Sequence, residues 1–203
     1  MKTKPSNAGY AGEAEDLLRR YEALTFEEVH ESVLHLLPET PSRILEIGAG
    51  TGRDAAAFAR RGHKVTAVEP TSALREPAMV LHPEPEIEWI DDSLPALASL
   101  KEHSGVFDLV MLTAVWMHLD AQERAEGMDE LARLAAPGAK IMFLLRHGPV
   151  PEGRRMYDVS GEETAVLGAP YGLRPVFSMR HDAITENNRK AGATWTRLVL
   201  TKA

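Results

Sequence analysis

Apolar positions in the first forty residues recur at helical spacing. Thr25 and Glu28 stand three residues apart, the spacing of a capping box, and apolar residues then recur on one helical face until Pro38. A more polar helical stretch, residues 14–23, precedes them. The pattern therefore predicts two helices ahead of the first strand.

From residue 43 onward, short apolar runs typical of buried strands alternate with helical patterns. Asp120 and Glu123 have the spacing of a second capping box, and Pro137-Gly138 is expected to end the helix that follows them. The predicted strands cover residues 43–47, 63–68, 87–90, 107–113 and 140–145, and the predicted helices cover 54–61, 72–81 and 121–135. Such alternation with short connections predicts a parallel sheet with helices on both faces.

The C-terminal part of the chain has a different pattern. Ser160 and Glu163 predict a cap ahead of a further helix, residues 165–169. The last two apolar segments, 175–179 and 194–200, have no apolar helix between them and are predicted to form an antiparallel pair at the sheet's edge. We expect a single domain composed of an N-terminal helical cover (1–40), a core (41–146), and a loop with a C-terminal strand pair (147–203).

Composition and charge exclude several kinds of chemistry. None of the 203 residues is cysteine, which removes disulfides, thiolate metal sites and cysteine nucleophiles. The formal charge of −7 opposes a polyanion, so we expect no nucleic-acid partner. No signal-like apolar run follows the N-terminus, and no stretch reaches the roughly 20 apolar residues of a membrane-spanning helix. We expect a cytoplasmic protein with neither a membrane partner nor a bound metal, and either a monomer or a homodimer.

A glycine cluster separates the first predicted strand from the helix after it. Gly48, Gly50 and Gly52 follow the acidic residue Glu46. Glycines let a ligand lie against the backbone, and a helix N-terminus presents free N–H groups to an anion. A dinucleotide site needs its third glycine one position later, where this chain has Arg53. The spacing argues against NAD, and a tight structural turn is the alternative to a ligand site.

The segment 44–52 resembles motif I of the class I S-adenosylmethionine (SAM)-dependent methyltransferases, which has an acid two residues before G-x-G-x-G. The second predicted strand ends at Glu69 and the third at Asp91 and Asp92, and residues 107–119 resemble the family's F-D-x-V segment with its trailing H-L. These matches span residues 44–145, about half of the chain. The resemblance implies SAM as cofactor and an α/β fold: a Rossmann-like, doubly wound, mostly parallel seven-stranded sheet with an antiparallel last strand.

The predicted cofactor site lies at the ends of the first strands and falls in the core, 41–146. Glu69 can accept hydrogen bonds from both ribose hydroxyls, with a solvated strand-end charge as the alternative. The resemblance implies an adenine contact from the acid after the third strand, where the spacing favours Asp92 with Ser93 and leaves Asp91 open. Arg53 either pairs with the cofactor's carboxylate or is solvated. The predicted cofactor-binding residues are Glu46, Gly48, Ala49, Gly50, Gly52, Arg53, Glu69, Pro70, Asp91, Asp92, Ser93, Thr113 and Tyr21.

Residues suited to a methyl acceptor follow the fourth and fifth strands. His118 and His147 are the two candidate bases, since a hydroxyl or ammonium acceptor must lose a proton. Adjacent arginines in the loop of segment 147–203 are placed to hold an acidic group. Tyr10 and Tyr21 resemble tyrosines that many family members fold over the cofactor, where a ring can meet the sulfonium by cation–π attraction. Packing or solvent exposure is the alternative for each. The predicted substrate-binding residues are Tyr10, Trp116, Arg154 and Arg155.

The predicted function is methyl transfer from SAM to an oxygen or nitrogen atom of a small acceptor by in-line displacement, with an anionic acceptor as one option. Placement of the acceptor and exclusion of water can provide much of the acceleration. Residues 113–116, T-A-V-W, stand where the family's amino-methylating nucleic-acid enzymes carry Asn/Asp-Pro-Pro-aromatic, so that chemistry loses support. The alternatives are a catalytically idle SAM-binding or activator subunit and a methyltransferase of RNA or protein.

Overall fold

Seven strands form one sheet in the computed structural model of the protein, which describes residues 5–203. The first four residues of the predicted N-terminal cover lie outside this part. The strands are β1 (Arg43–Ile47), β2 (Lys64–Val68), β3 (Ile87–Ile90), β4 (Phe107–Thr113), β5 (Ala135–His147), β6 (Leu173–Asp182) and β7 (Thr194–Lys202). Their order is β3-β2-β1-β4-β5-β7-β6, in which β7 is antiparallel to both of its neighbours and the first five strands are parallel. The predicted sheet, with its antiparallel last strand, is confirmed.

Helices cover both faces of this sheet. They are α1 (Ala14–Glu22), α2 (Phe26–His30), α3 (Arg53–Arg60), α4 (Ser72–Leu81), α5 (Ala121–Leu134), α6 (Gly161–Gly168) and α7 (Glu186–Lys190). Neighbouring residues of β1 face opposite sides of the sheet: Leu45 packs into an apolar cluster with residues of α5, whereas Ile44 packs into a second cluster with residues of α2 and α3. The predicted capping boxes at Thr25 and Asp120 both form, and Ser160 caps α6.

The fifth strand and the second helix differ most in extent from their sequence prediction. The fifth strand, predicted at 140–145, begins at Ala135 and runs to His147. Ala135 is already extended, with φ −67° and ψ 133°, so α5 stops at Leu134. Pro137 also disfavours the helical conformation at the residue before it. The predicted second helix is also shorter, because α2 gives way to a 3₁₀ turn at Glu31–Leu36.

The parallel strands all end at the same edge of the sheet. The glycine loop follows β1, Glu69 follows β2, Asp91 follows β3 and Ala114 follows β4. Open α/β sheets bind their ligands outside this carboxyl edge. The topology therefore brings the chemical groups predicted from distant motifs to one place.

Candidate active site

A cavity of about 1030 Å³ lies at the carboxyl edge of the parallel strands. Its walls come from the N-terminal segment, the loops after the parallel strands, and the connection between β6 and β7. One part, the glycine half, is lined by Gly48, Gly50, Glu69 and Asp92. The other part, the histidine half, is lined by Tyr10, His118, Arg146, Arg154 and Trp195.

Backbone hydrogen bonds fix the glycine loop after β1. The N–H groups of Gly48 and Ala49 both donate to the carbonyl of Val68, at 2.8 and 3.0 Å. Gly48 has a φ of +70°, and a Cβ atom built on it would lie 2.4 Å from Cγ2 of Val115. A side chain at position 48 would thus be strained and would collide with the loop after β4.

Glu69 is held against this loop instead of being solvated. Its Oε2 accepts from the Gly50 N–H at 2.8 Å and its Oε1 from the Thr71 N–H at 2.8 Å. The residue is only 5% exposed, and burial raises the pKa of its carboxyl group. Because each carboxylate oxygen has two lone pairs, Glu69 retains acceptor capacity toward the cavity.

A buried charged cluster lies beneath the loop. Glu46 lines the cavity, burial raises its pKa well above the usual range, and its Oε2 is buried without a hydrogen-bond partner. Arg53 is mostly buried, with Nε donating to Asp54 at 2.7 Å and Nη1 to the Tyr21 carbonyl at 3.3 Å. Asp54 also accepts from His30 at 2.7 Å, and its contacts with His30 and Arg53 lower the pKa of its carboxyl group despite burial.

The two acids after β3 have different surroundings. Asp92 lines the cavity and accepts from the N–H groups of Ser93 and Ser99, at 2.7 and 2.6 Å. Asp91 pairs with Arg75 at 2.8 Å, has a 66% exposed side chain and lies outside the cavity lining. The geometry at this strand end thus favours Asp92 for a ligand contact. Pro70, Ser93, Thr113 and Tyr21 also line the cavity, whereas Gly52 lies outside the lining, against Trp89.

His118 and Tyr10 form a hydrogen-bonded pair in the histidine half. The Nδ1 of His118 lies 2.6 Å from the Arg155 carbonyl, which can only accept, so Nδ1 carries a proton. Its Nε2 then accepts from the Tyr10 hydroxyl at 2.9 Å. Burial lowers the pKa of His118 and raises that of Tyr10. The pair therefore consists of a neutral imidazole and a protonated phenol.

Arg154 packs over this pair. Its guanidinium lies 3.5 Å from the centre of the Tyr10 ring, a cation–π geometry, and its Nη2 pairs with Glu13 at 2.9 Å. Glu13 belongs to the N-terminal segment, 141 residues away in sequence. The contact ties the N-terminal segment to the loop after β5.

Three residues predicted for the acceptor site lie outside the cavity lining. Arg155 is bonded to Glu123 and donates from Nε to the His118 carbonyl at 2.8 Å. His147 is bonded to Thr196 at 2.8 Å. Trp116 is fully buried, with its ring edge-on to another aromatic ring of the core.

Several residues that were not predicted from the sequence line the histidine half, among them Arg146, Trp195 and the asparagines of α7. Strand alternation was the signal that could have found Arg146. Leu144 and Arg146 share the face of β5 that lines the cavity, and the residues between and after them point to the other face. No pattern in the sequence placed the β6–β7 connection over the cavity.

Residues 5–203 contain no cluster of three histidine or acidic side chains suited to a metal ion. None of the helices in this part is long and apolar enough to cross a membrane.

Residues 18–192 match the profile of a methyltransferase domain family. This match covers most of the chain, and it agrees with the glycine motif, the seven-stranded sheet and the cavity at its carboxyl edge. The chain therefore belongs to the SAM-dependent methyltransferases of class I, and SAM is its cofactor.

Individual relatives are more distant. An uncharacterised methyltransferase of Bacillus licheniformis is 28% identical over 128 residues, 59% of this chain and 56% of that protein. One of Mycobacterium tuberculosis is 29% identical over 119 residues, 55% of this chain and 42% of that protein. This chain thus spans about half the length of the curated relatives it matches.

A solved structure with the same fold is the 1,6-didemethyltoxoflavin-N1-methyltransferase of Burkholderia thailandensis, with bound 1,6-didemethyltoxoflavin and S-adenosylhomocysteine. It superposes with a TM-score of 0.70 at 22% identity, covering 96% of this chain and 85% of that chain. The likeness shows the fold.

Proposed function

We propose that this protein transfers the methyl group of SAM to an oxygen or nitrogen atom of a small-molecule acceptor. One observation carries the proposal: the glycine half and the neutral His118 line the same cavity. Pockets of several hundred to about a thousand cubic ångströms suit small ligands. The Burkholderia relative holds a small molecule together with S-adenosylhomocysteine, which supports an acceptor of that class.

The glycine half fits the cofactor. The loop leaves no room for a Cβ at Gly48, and the buried Oε2 of Glu46 has no hydrogen-bond partner within residues 5–203, as expected for an acceptor that faces a cationic ligand group. In the proposed site Glu69 accepts from the ribose hydroxyls and Asp92 lies against the adenine amino group. When bound, SAM supplies a methyl group activated by its sulfonium.

His118 is the proposed general base. The Arg155 carbonyl fixes its tautomer, so Nε2 presents its lone pair on the Tyr10 side of the ring. On acceptor binding, the acceptor's O–H or N–H replaces the Tyr10 hydroxyl at Nε2. The proton moves to Nε2 as the acceptor's lone pair forms its bond to the methyl carbon, and the bond between that carbon and the sulfonium sulfur breaks, which releases S-adenosylhomocysteine as the neutral thioether. The imidazolium keeps its hydrogen bond to the Arg155 carbonyl.

The test is to incubate the protein with methyl-labelled SAM and a cellular small-molecule extract, with total RNA and protein in separate reactions. We expect label in low-molecular-mass products, while calorimetry detects binding of SAM and S-adenosylhomocysteine. Label in RNA or protein alone would overturn the small-molecule assignment. Binding of SAM with no labelled product in any reaction would instead favour an idle SAM-binding subunit.

A further inference from the structure

Arg146 stands at the carboxyl end of β5 with its guanidinium in the histidine half. The residue is buried, 8% exposed, and its Nη1 donates to the Pro149 carbonyl at 2.8 Å. Its Nε and Nη2 have no hydrogen-bond partner within residues 5–203, and neither is sealed from the cavity. Part of the guanidinium fork therefore remains available to a ligand.

The charge of Arg146 is also uncompensated. Four arginines line the cavity, and three of them pair with a carboxylate: Arg20 with Asp16, Arg53 with Asp54 and Arg154 with Glu13. Arg146 has no carboxylate partner in the described part of the chain. Burial lowers the pKa of Arg146, which reflects the cost of keeping a cation out of water without a counter-ion.

The rest of the histidine half offers no other anion to Arg146. The acidic residues in the cavity lining either belong to the glycine half and the cluster beneath it or pair with an arginine. Apart from Arg154, which pairs with Glu13, the other hydrogen-bonding and aromatic groups of the histidine half carry no negative charge: Tyr10, His118, His181, Asn187, Asn188 and Trp195. A ligand group that binds here gains most by being an oxyanion.

We propose that the methyl acceptor carries an oxyanionic group, of carboxylate or phosphate type, that binds the guanidinium of Arg146. This proposal rests on the proposed function. Arg146, Tyr10 and His118 line the same cavity, and Tyr10 bonds to His118. An acceptor anchored at Arg146 thus occupies the cavity that holds the proposed base. Arg146 takes the role that the sequence assigned to Arg154 and Arg155.

The experiment fractionates the cellular extract on a strong anion exchanger before the reaction. The retained and unretained fractions are then offered separately to the protein with methyl-labelled SAM. We expect the retained fraction to give at least about tenfold more labelled product. Phosphatase treatment of the retained fraction before the reaction abolishes labelling if the oxyanion is a phosphate monoester and leaves it intact if the oxyanion is a carboxylate.

Variants then test the residue itself. Arg146→Gln should raise the KM for the purified acceptor at least about tenfold with little change in kcat, the mark of lost uniform binding. Arg146→Lys should recover part of the loss, because lysine keeps the charge without the planar fork. Arg174→Gln, an exposed arginine of β6 outside the cavity lining, is the matched control and should have wild-type kinetics. Calorimetric SAM affinity should stay within about twofold in all three, which also reports that each is folded.

Labelling of the unretained fraction alone, or an unchanged KM in Arg146→Gln, would overturn the assignment of Arg146 and leave the proposed methyl transfer intact. Absence of label from both fractions, with SAM still bound, would overturn the proposed function and this inference with it.

Discussion

The two halves of the cavity are built in different ways. The residues of the glycine half follow three neighbouring strands within one stretch of about fifty residues, and their principal contacts are backbone N–H groups donating to Glu69 and Asp92. The histidine half joins residues far apart in sequence: Tyr10 bonds to His118 across 108 positions. One half is thus a product of local strand–loop geometry, and the other exists only when the N-terminal segment and the C-terminal loops close over the sheet.

This difference predicts that the two halves of the cavity have separate functions. Changes in the glycine half should alter cofactor affinity, and changes in the histidine half should alter turnover or acceptor affinity while cofactor affinity stays the same. A substitution in one half that alters the property assigned to the other half would show that the two halves act as one unit.

The largest effect is expected for His118→Ala. Loss of a general base typically lowers the rate by about 10² to 10⁴, so kcat with the identified acceptor should fall at least about a hundredfold. The SAM dissociation constant should not change. The control is His35→Ala, an exposed histidine outside the cavity lining, which should keep its kcat. Full turnover in His118→Ala would remove the base from the mechanism and leave catalysis to placement alone.

The second largest effect is expected for Gly48→Ala, in the glycine half. A left-handed backbone costs a non-glycine residue roughly 1–2 kcal/mol of stability, and the new Cβ would also collide with Val115 and displace the loop. We expect this displacement to lower SAM affinity, measured by calorimetry, at least about thirtyfold, which corresponds to about 2 kcal/mol. Gly62→Ala has the same backbone strain, with φ +86°, but nothing within 4 Å of its Cβ. It should lose stability alone, and an equal loss of SAM affinity in both variants would contradict the argument.

Glu69→Gln should weaken SAM binding by roughly tenfold, the equivalent of one net hydrogen bond to a charged group. The amide also turns one acceptor into a donor that faces a backbone N–H, so the ligand-free protein should lose about 1–3 kcal/mol of unfolding free energy. Calorimetry and chemical denaturation measure the two losses separately. Glu88→Gln on the exposed side of β3 should cause neither. Unchanged SAM affinity would mean that Glu69 is not the ribose partner.

The comparison also explains what the sequence could predict. Glycine spacing, strand ends and capping pairs are local signals, and they predicted the sheet, its antiparallel last strand and the positions around Gly48 and Glu69. The burial of Glu69 was not visible, because the two N–H groups that hold it come from a loop and a turn whose shapes depend on Gly50 and Thr71. Sequence patterns mark a strand-end carboxylate and do not show whether water reaches it.

In the histidine half, pairing between residues far apart in sequence limited what the sequence could predict. The sequence offered two histidines and two arginines after the fourth and fifth strands as candidates, and their roles depended on partners elsewhere in the chain. Arg155 pairs with Glu123 of α5, and Arg154 pairs with Glu13 near the N-terminus. Strand alternation could have placed Arg146 on the cavity face of β5, but no local pattern reveals that it lacks a carboxylate partner within residues 5–203.

The smallest effect is expected for Tyr10→Phe. It is measured from the pH dependence of kcat/KM, which reports the pKa values of catalytic groups in the free enzyme. Burial and the nearby Arg154 and Arg155 lower the pKa of His118, and only its neutral form can act as a base. In the wild type, kcat/KM should therefore be constant at neutral pH and fall as the pH drops through a value below the ordinary histidine pKa of about 6.5. The Tyr10 hydroxyl donates to the neutral imidazole and so favours that form.

Removing the hydroxyl should raise the His118 pKa, so that the fall of kcat/KM at low pH, the acid limb of the profile, begins roughly half to one pH unit higher. A net hydrogen bond is worth about 1 kcal/mol, and one pKa unit corresponds to about 1.36 kcal/mol. The maximal kcat should change only a few fold, because the acceptor replaces the hydroxyl at Nε2 during turnover. Tyr171→Phe, a partly exposed tyrosine outside the cavity lining, should leave the limb in place. An unshifted limb in Tyr10→Phe would show that the group titrating there is not the His118 imidazole bonded to Tyr10. A loss of kcat as large as that of His118→Ala would instead make Tyr10 an obligatory member of the proton path.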